Sequence, residues 1–237
     1  MQVYVVLPAA GLGTRMGAVP GAAPEPKQFL QLKGVPILVH TLRAFHSVPA
    51  VRQVTVAVRP SEIERVRAQV HTYALDKNTI VVEGGDARQE SVGNALRTLP
   101  ATDDDIVLVH DAVRPLIDRA TIERTIEAVE RHGAAIVGVP AIDTIKQVER
   151  TAEGAIISTT IPRERIVLAQ TPQGFRCGLL RRIFREAEAD GFQGTDEASL
   201  AERAGVPVAV VMGIAQNFKI THPGDLELAE FYMRQGR

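Results

Sequence analysis

The stretch that decides the fold is Val3-Tyr4-Val5-Val6-Leu7-Pro8-Ala9-Ala10-Gly11-Leu12-Gly13-Thr14-Arg15-Met16, followed eleven residues later by Lys27. Its first five residues are an apolar run that predicts a buried strand. Small residues then allow a backbone to approach a ligand closely, and a loop with little side-chain cover presents N–H groups that bind phosphate oxygens. Arg15 and Lys27 add fixed positive charge. Together these features predict a cradle for a nucleoside triphosphate.

Outward from this loop, short apolar runs alternate with amphipathic segments to the end of the chain. Val3–Leu7, Val51–Val58, Thr79–Val82, Ile106–Val109, Ala134–Val139 and Val206–Val211 read as strands buried on both faces. Val35–Phe45, Ser61–Val70, Gln89–Leu99, Ala120–Arg131 and Leu179–Ala189 carry apolar residues at helical spacing, and Ser61 with Glu64 is a capping-box signature. Such alternation predicts an α/β fold with a single Rossmann-like, mostly parallel sheet flanked by helices. In such sheets ligands sit at the carboxyl ends of the strands, where the glycine loop lies. Asp143–Pro162 breaks the rhythm as a polar, β-prone hairpin turning at Gly154. It reads either as a surface ornament or as a protruding arm that grips a second copy of the chain.

The 237 residues are 45% hydrophobic and 23% charged, as in an ordinary globular protein. A net charge of −1 and an aromatic content of 4% give no basic or base-stacking surface, so no nucleic-acid partner is expected. The first apolar run lacks a basic leader and is broken by Pro8 and Gly11, which fits neither a signal peptide nor a membrane span. A lone Cys177 allows no disulfide and no zinc cluster, and no histidine near it in sequence supports a nucleophilic role. A cytoplasmic location is expected.

Gly11 and Gly13 lack the third glycine of a dinucleotide fingerprint. The second strand ends Ala57-Val58-Arg59-Pro60 without the acidic residue that would hold a ribose. Gly13-Thr14-Arg15 is not the Gly-Lys-Ser/Thr of a P-loop. Gly-x-Gly-x-Arg followed by Pro26-Lys27-Gln28 does suit a triphosphate, which Arg clamps as a fork and Lys as a point charge. Glu83-Gly84-Gly85-Asp86-Ala87-Arg88 then forms a tight turn into a helix that offers a base Gly85, Asp86 and the Ser91 hydroxyl, with Asp86 also a candidate N-cap. His110-Asp111 ends an apolar strand, placing a carboxylate suited to Mg²⁺ at the catalytic edge, with His110 read more readily as a packed side chain. Arg163 and Lys219 lie in apolar, β-prone surroundings and each requires an anion, either a structural carboxylate or a substrate phosphate. Thr195-Asp196-Glu197 reads as the cap of a following helix.

Strung over nearly the whole chain, these motifs resemble the 2-C-methyl-D-erythritol 4-phosphate cytidylyltransferases, within the nucleotidyltransferases that activate sugar phosphates. They run Pro8-Ala9-Ala10-Gly11-x-Gly13-x-Arg15, Pro26-Lys27-Gln28, Gly84-Gly85-Asp86-x-Arg88-x-x-Ser91-Val92 and His110-Asp111-Ala112-x-Arg114-Pro115. They continue through Asp143-Thr144-x-Lys146, Arg163, Thr171-Pro172-Gln173, Thr195-Asp196-Glu197-Ala198-Ser199 and Asn217-x-Lys219-x-Thr221. The resemblance implies transfer of a cytidylyl group from CTP to methylerythritol phosphate, with release of pyrophosphate, in isoprenoid precursor synthesis. It implies that Arg15 and Lys27 stabilise the transition state and that Pro8, Ala9, Ala10, Gly11, Gly13, Gly85, Asp86 and Ser91 bind CTP. It further implies that Asp111 contacts substrate or Mg²⁺, that Arg163 and Lys219 hold the acceptor phosphate, and that Thr171 and Thr195 lie at the substrate. Thr144 and Arg114 would act across a homodimer interface made by the 143–162 arm. The segment Ala18–Glu25 is longer than the family usually has and is expected to be exposed, and Glu90 stands where the family commonly has Asp. A cytidylyltransferase for ribitol 5-phosphate and a catalytically silent nucleotide-binding module are the alternatives.

Overall fold

The computed structural model describes residues 1–11 and 25–235. Gly13, Arg15 and residues 18–24 of the longer segment therefore lie outside the described residues. In chain order the strands are β1 (Val3–Pro8), β2 (Gln31–Leu32), β3 (Val35–Pro36), β4 (Val51–Val58), β5 (Thr79–Glu83), β6 (Ile106–Val109), β7 (Ala134–Pro140), β8 (Ile145–Thr151), β9 (Gly154–Ile161), β10 (Val167–Arg176) and β11 (Ala209–Met212). The helices are α1 (Ile37–His46), α2 (Ile63–Thr72), α3 (Arg88–Thr98), α4 (Arg119–His132), α5 (Cys177–Ala189), α6 (Glu197–Arg203) and α7 (Pro223–Arg234).

Seven strands form the main sheet in the order β11-β7-β10-β6-β1-β4-β5. All pair in parallel except β10, which runs antiparallel to both β6 and β7. The expected α/β architecture with a mostly parallel sheet is thus present. Along β1 the side chains alternate between faces, as the strand period of two requires. Val3, Val5 and Leu7 pack with α1, α2 and α4 through Leu38, Leu42, Phe45, Val66, Ile122 and Val129. Tyr4 and Val6 pack with α3, α5 and α6 through Val92, Leu96, Leu180, Ile183 and Leu200. Full burial of each such aliphatic side chain contributes roughly 1.5–3 kcal/mol. Since β1, β4, β5 and β6 are parallel, their carboxyl ends share one edge, and the loops after them converge there.

Several local expectations are corrected. The outer strands β5 and β11 are not buried on both faces, because helix cover runs out at the ends of the sheet: Ile80, Val210 and Met212 are exposed. Ser61 does not cap α2; it lies in a 3-10 turn over Pro60–Glu62, and Glu62 precedes the helix without a side-chain cap. Asp86 is not the N-cap of α3, a place taken by Ala87. Instead the Glu90 carboxylate reaches back to accept from the Asp86 N–H at 2.9 Å. The short β2–β3 ladder, the antiparallel β10 and the terminal α7 escape a reading of the sequence. Ala229 of α7 is buried with Leu32, Ile37 and Ile220 in a small third core. The hairpin β8–β9 forms a separate two-stranded sheet, turning at residues 152–153, with Gly154 at a φ of 141°.

Candidate active site

The loops after β1, β5 and β6 line one cavity of about 250 Å³, together with Lys27, Gln28 and Lys219. Of the residues singled out from sequence, it gathers Pro8, Ala9, Ala10, Gly11, Lys27, Gly85, Asp86, Ser91, Asp111 and Lys219. The glycine loop is held from beneath. Gln28 Nε2 donates to the Ala9 carbonyl at 2.7 Å, and Arg59 Nε donates to the Ala10 carbonyl at 2.8 Å. Neither support is visible in the sequence. Lys27 is buried at the rim, and its Nζ donates to the Thr221 carbonyl at 2.7 Å.

The turn after β5 is braced as tightly. Gly84 N–H donates to the Val58 carbonyl at 2.7 Å, and Gly85 N–H donates to Ser91 Oγ at 3.0 Å. A Cβ on Gly84 would come within 2.9 Å of Ala10 Cβ and 3.0 Å of Ser91 Oγ. Glycine is therefore needed where this turn and the first loop approach each other. The Ser91 hydroxyl faces the same turn, so it holds the shape of that backbone as well as lining the cavity.

Asp111 is the electrostatic centre. Its Oδ2 lies 3.1 Å from Lys219 Nζ and 3.3 Å from Arg114 Nε, and its Oδ1 lies 3.3 Å from Arg88 Nε. Burial opposes its charge, but Lys219, Arg88 and Arg114 outweigh burial and hold its carboxyl well below the usual carboxylate range. Behind it, Glu197 grips Arg88 with both oxygens, at 2.7 and 3.0 Å. Burial works against the charge of Arg88, and Glu197 with Asp111 more than restores it. Asn217 presents Lys219. Its side-chain amide N–H groups donate to Gln170 Oε1 at 3.0 Å and to the Thr171 carbonyl at 2.8 Å, while its main-chain carbonyl accepts from Arg114 at 2.8 Å.

His110 is the packed side chain expected of it, fully buried and edge-on to Phe45 at 4.9 Å. Thr171 Oγ1 accepts from the Asp111 N–H at 3.0 Å and donates its hydroxyl hydrogen to His110 Nδ1 at 2.9 Å. His110 Nε2 then donates to the Arg114 carbonyl at 3.1 Å, a neutral tautomer assigned from the network. Burial lowers its pKa to about 4. Thr171 thus orients the Asp111 backbone and does not line the cavity. Arg114 is tied to Asp111 and Asn217 within its own chain. Thr195 is exposed ahead of α6, whose cap is Asp196, accepting from the Ser199 N–H at 2.9 Å. Thr144 and Arg163 are exposed at the base of the hairpin and do not line the cavity; Arg163 donates to the Ile142 carbonyl at 2.6 Å. Cys177 is buried in the core, and burial pushes its thiol up, away from the thiolate a nucleophile needs.

The cavity suits a bound triphosphate opposite a second anion. Among the described residues no cluster of three or more metal-ligating side chains exists, and the carboxylates lining the cavity are the exposed Asp86 and the buried Asp111. The three cation contacts of Asp111, at 3.1–3.3 Å, exceed the roughly 2.7–2.9 Å of close charge-assisted bonds. The donor set fits Mg²⁺, which accepts one or two carboxylates and takes its other ligands from phosphates and water.

Residues 3–235 match the protein-family model described as IspD: 2-C-methyl-D-erythritol 4-phosphate cytidylyltransferase. The chain is 69% identical over 235 residues to the 2-C-methyl-D-erythritol 4-phosphate cytidylyltransferase of Acidobacterium capsulatum, covering 99% of this chain and 98% of that one. It is 50% identical to the enzyme of that name from Solibacter usitatus, covering 99% and 97%. Among solved structures, the Thermus thermophilus cytidylyltransferase superposes with a TM-score of 0.77 at 38% identity, over 99% of this chain and all of the other. The Francisella tularensis protein superposes with a TM-score of 0.80 at 34% identity, over 98% and 99%. No described helix is long and apolar enough to cross a membrane.

Proposed function

The chain belongs to the 2-C-methyl-D-erythritol 4-phosphate cytidylyltransferase family, and from that premise we propose how its cavity carries out the reaction. The enzyme transfers a cytidylyl group from CTP to 2-C-methyl-D-erythritol 4-phosphate, giving 4-diphosphocytidyl-2-C-methyl-D-erythritol and pyrophosphate. The observation that carries the reading is the meeting of three elements in one cavity: the Pro8–Gly11 loop, the Gly84–Ser91 turn, and the Asp111–Lys219 pair. The loop takes the triphosphate, the turn takes cytosine, and Lys219 takes the acceptor phosphate.

An oxygen of the acceptor phosphate attacks the α-phosphorus in line with the departing pyrophosphate. One P–O bond forms as the α–β bridging bond breaks, and the electron pair leaves on pyrophosphate. The nucleophile is already anionic, so no general base is required, and the neutral, buried His110 has no part in the step. What the protein supplies is positioning and compensation of charge. Lys27 and Arg15 supply that compensation at the α-phosphate and the leaving group. Asp111, with phosphate oxygens and water, would hold Mg²⁺, which neutralises triphosphate charge when bound.

The hairpin β8–β9 is the arm of a homodimer in this reading. Ile156 and Ile157 stand 65% and 58% exposed on it, with Val167 and Leu168 exposed nearby in sequence. A two-stranded sheet is barely stable alone in water, and a second copy covering these residues accounts for the pattern. Thr144 and Arg163, outside the cavity of their own chain, would then act at a dimer interface. The functional test is release of pyrophosphate from CTP and Mg²⁺ with either methylerythritol phosphate or ribitol 5-phosphate as acceptor. Turnover favouring methylerythritol phosphate is expected, and turnover only with ribitol 5-phosphate contradicts the assignment.

A further inference from the structure

Arg88 lines the cavity, with one bond from each terminal nitrogen to Glu197 and with Nε facing Asp111 Oδ1 at 3.3 Å. Glu197 itself does not line the cavity and is 1% exposed, at the first position of α6. The start of α6 is pinned to the sheet. Asp196 accepts from Gln173 Nε2 at 2.7 Å, and Gln173 Oε1 accepts from the Ala198 N–H at 2.9 Å. Gln173 pairs with Val109, two residues before Asp111.

We infer that Glu197 is a positioning residue: by holding both terminal nitrogens of Arg88, it turns that guanidinium so that Nε is its contact with Asp111 and keeps Asp111 available to Lys219. A guanidinium favours two parallel bonds to one carboxylate. Burial pushes the Glu197 carboxyl up and Arg88 pulls it partly back down; without that bidentate pair, the guanidinium turns to Asp111, the neighbouring carboxylate. Asp111 Oδ2 already serves both Arg114 and Lys219. Lys219 is the partner displaced, because it is a point charge on a flexible stem and the most exposed of the three cations, at 37% against 28% and 11%. Only the kinetic consequence rests on the proposed role of Lys219 at the acceptor phosphate.

Glu197→Gln keeps the shape and removes the charge. With no substrate present, acetylation of lysine amines followed by mass spectrometry is expected to label Lys219 several-fold faster than in the wild type, with the exposed Lys33 and Lys77 unchanged. In the double variant Glu197→Gln/Arg88→Gln the fork is gone, and Lys219 labelling returns to the wild-type rate. In turnover, Glu197→Gln is expected to raise KM for the acceptor about tenfold while KM for CTP stays within twofold, and it adds nothing in an Arg88→Gln background. Unchanged Lys219 labelling in Glu197→Gln, or an equal kinetic loss with and without Arg88, overturns the inference. If Glu197→Gln fails to fold, fast Lys219 labelling in the double variant overturns it instead. Absence of wild-type turnover on methylerythritol phosphate would count against the functional assignment alone, and the labelling comparison would still decide the role of Glu197.

Discussion

Lys219 Nζ lies 3.1 Å from Asp111 Oδ2, an oxygen it shares with Arg114 Nε at 3.3 Å. Lys219, proposed to hold the attacking phosphate, is thus fastened to a buried carboxylate that two arginines also hold. Asp111→Asn leaves three cations without their shared counter-charge. Removing one partner of a buried ionic group costs about 3–5 kcal/mol. The variant should lose stability of that order in urea unfolding and at least about a hundredfold in kcat/KM. The folded Asp111 carboxyl is depressed, so its contribution is present above the unfolded value of about 3.9 and fades as pH falls below it. Asp111→Asn should therefore flatten the acid limb of the stability curve below about pH 4.

His110 makes the opposite test. It is buried neutral with a pKa of about 4, against about 6.5 when unfolded. The unfolded chain binds the extra proton between those values, so stability falls as pH drops from 6.5 toward 4, by about 3 kcal/mol in all. His110→Gln should remove much of that slope in urea midpoints measured at pH 7, 6 and 5. The kcat–pH profile of the wild type should show no step near 6.5, and such a step would return His110 to the chemistry.

Lys27→Ala and Arg15→Ala should each reduce kcat about a hundredfold or more while changing KM for CTP far less, since charge compensation acts on the transition state. Near wild-type turnover in either variant would remove that residue from its role.

Gly84→Ala should raise KM for CTP about tenfold, with KM for the acceptor little changed, because the added Cβ meets Ala10 Cβ at 2.9 Å and the Val58 carbonyl at 3.3 Å. A Cβ at Gly85 collides with the Glu90 side chain, which can swing away. Gly85→Ala should therefore act more mildly, by dislodging the carboxylate that holds the Asp86 N–H. Steady-state kinetics with each substrate varied in turn would show whether the damage falls on CTP.

Ile156→Asp and Ile157→Asp, introduced together, should convert a dimer to monomers by light scattering, with loss of activity if Thr144 and Arg163 act across the interface. A wild-type monomer with full activity would contradict the role given to the arm.

Most of this architecture is legible in the chain because the strands at its centre are apolar runs. Val3–Leu7, Val51–Val58 and Ile106–Val109 announce themselves, and the loops after two of them carry the site. β10 escapes because Gln170, Thr171, Pro172 and Gln173 look like a polar loop. Three of the four are buried polar side chains whose partners, Asn217, His110 and Asp196, are distant in sequence. α7 escapes because its apolar face is narrow and rests on the small core around Ile220. The same limit hides Gln28, Arg59 and Glu197, since a residue's role as a support exists only once the supported group is folded beside it. Glu197 did leave a signal, a carboxylate inside a helix-cap motif, but Arg88 lies 109 positions away.

Direct displacement at the α-phosphorus is tested most directly by stereochemistry. CTP made chiral at the α-phosphorus with sulfur should give a diphosphocytidyl product inverted at that centre, as one in-line attack by the acceptor phosphate requires. Retention would mean two displacements through a covalent enzyme intermediate, and would contradict a site that works by positioning and charge alone.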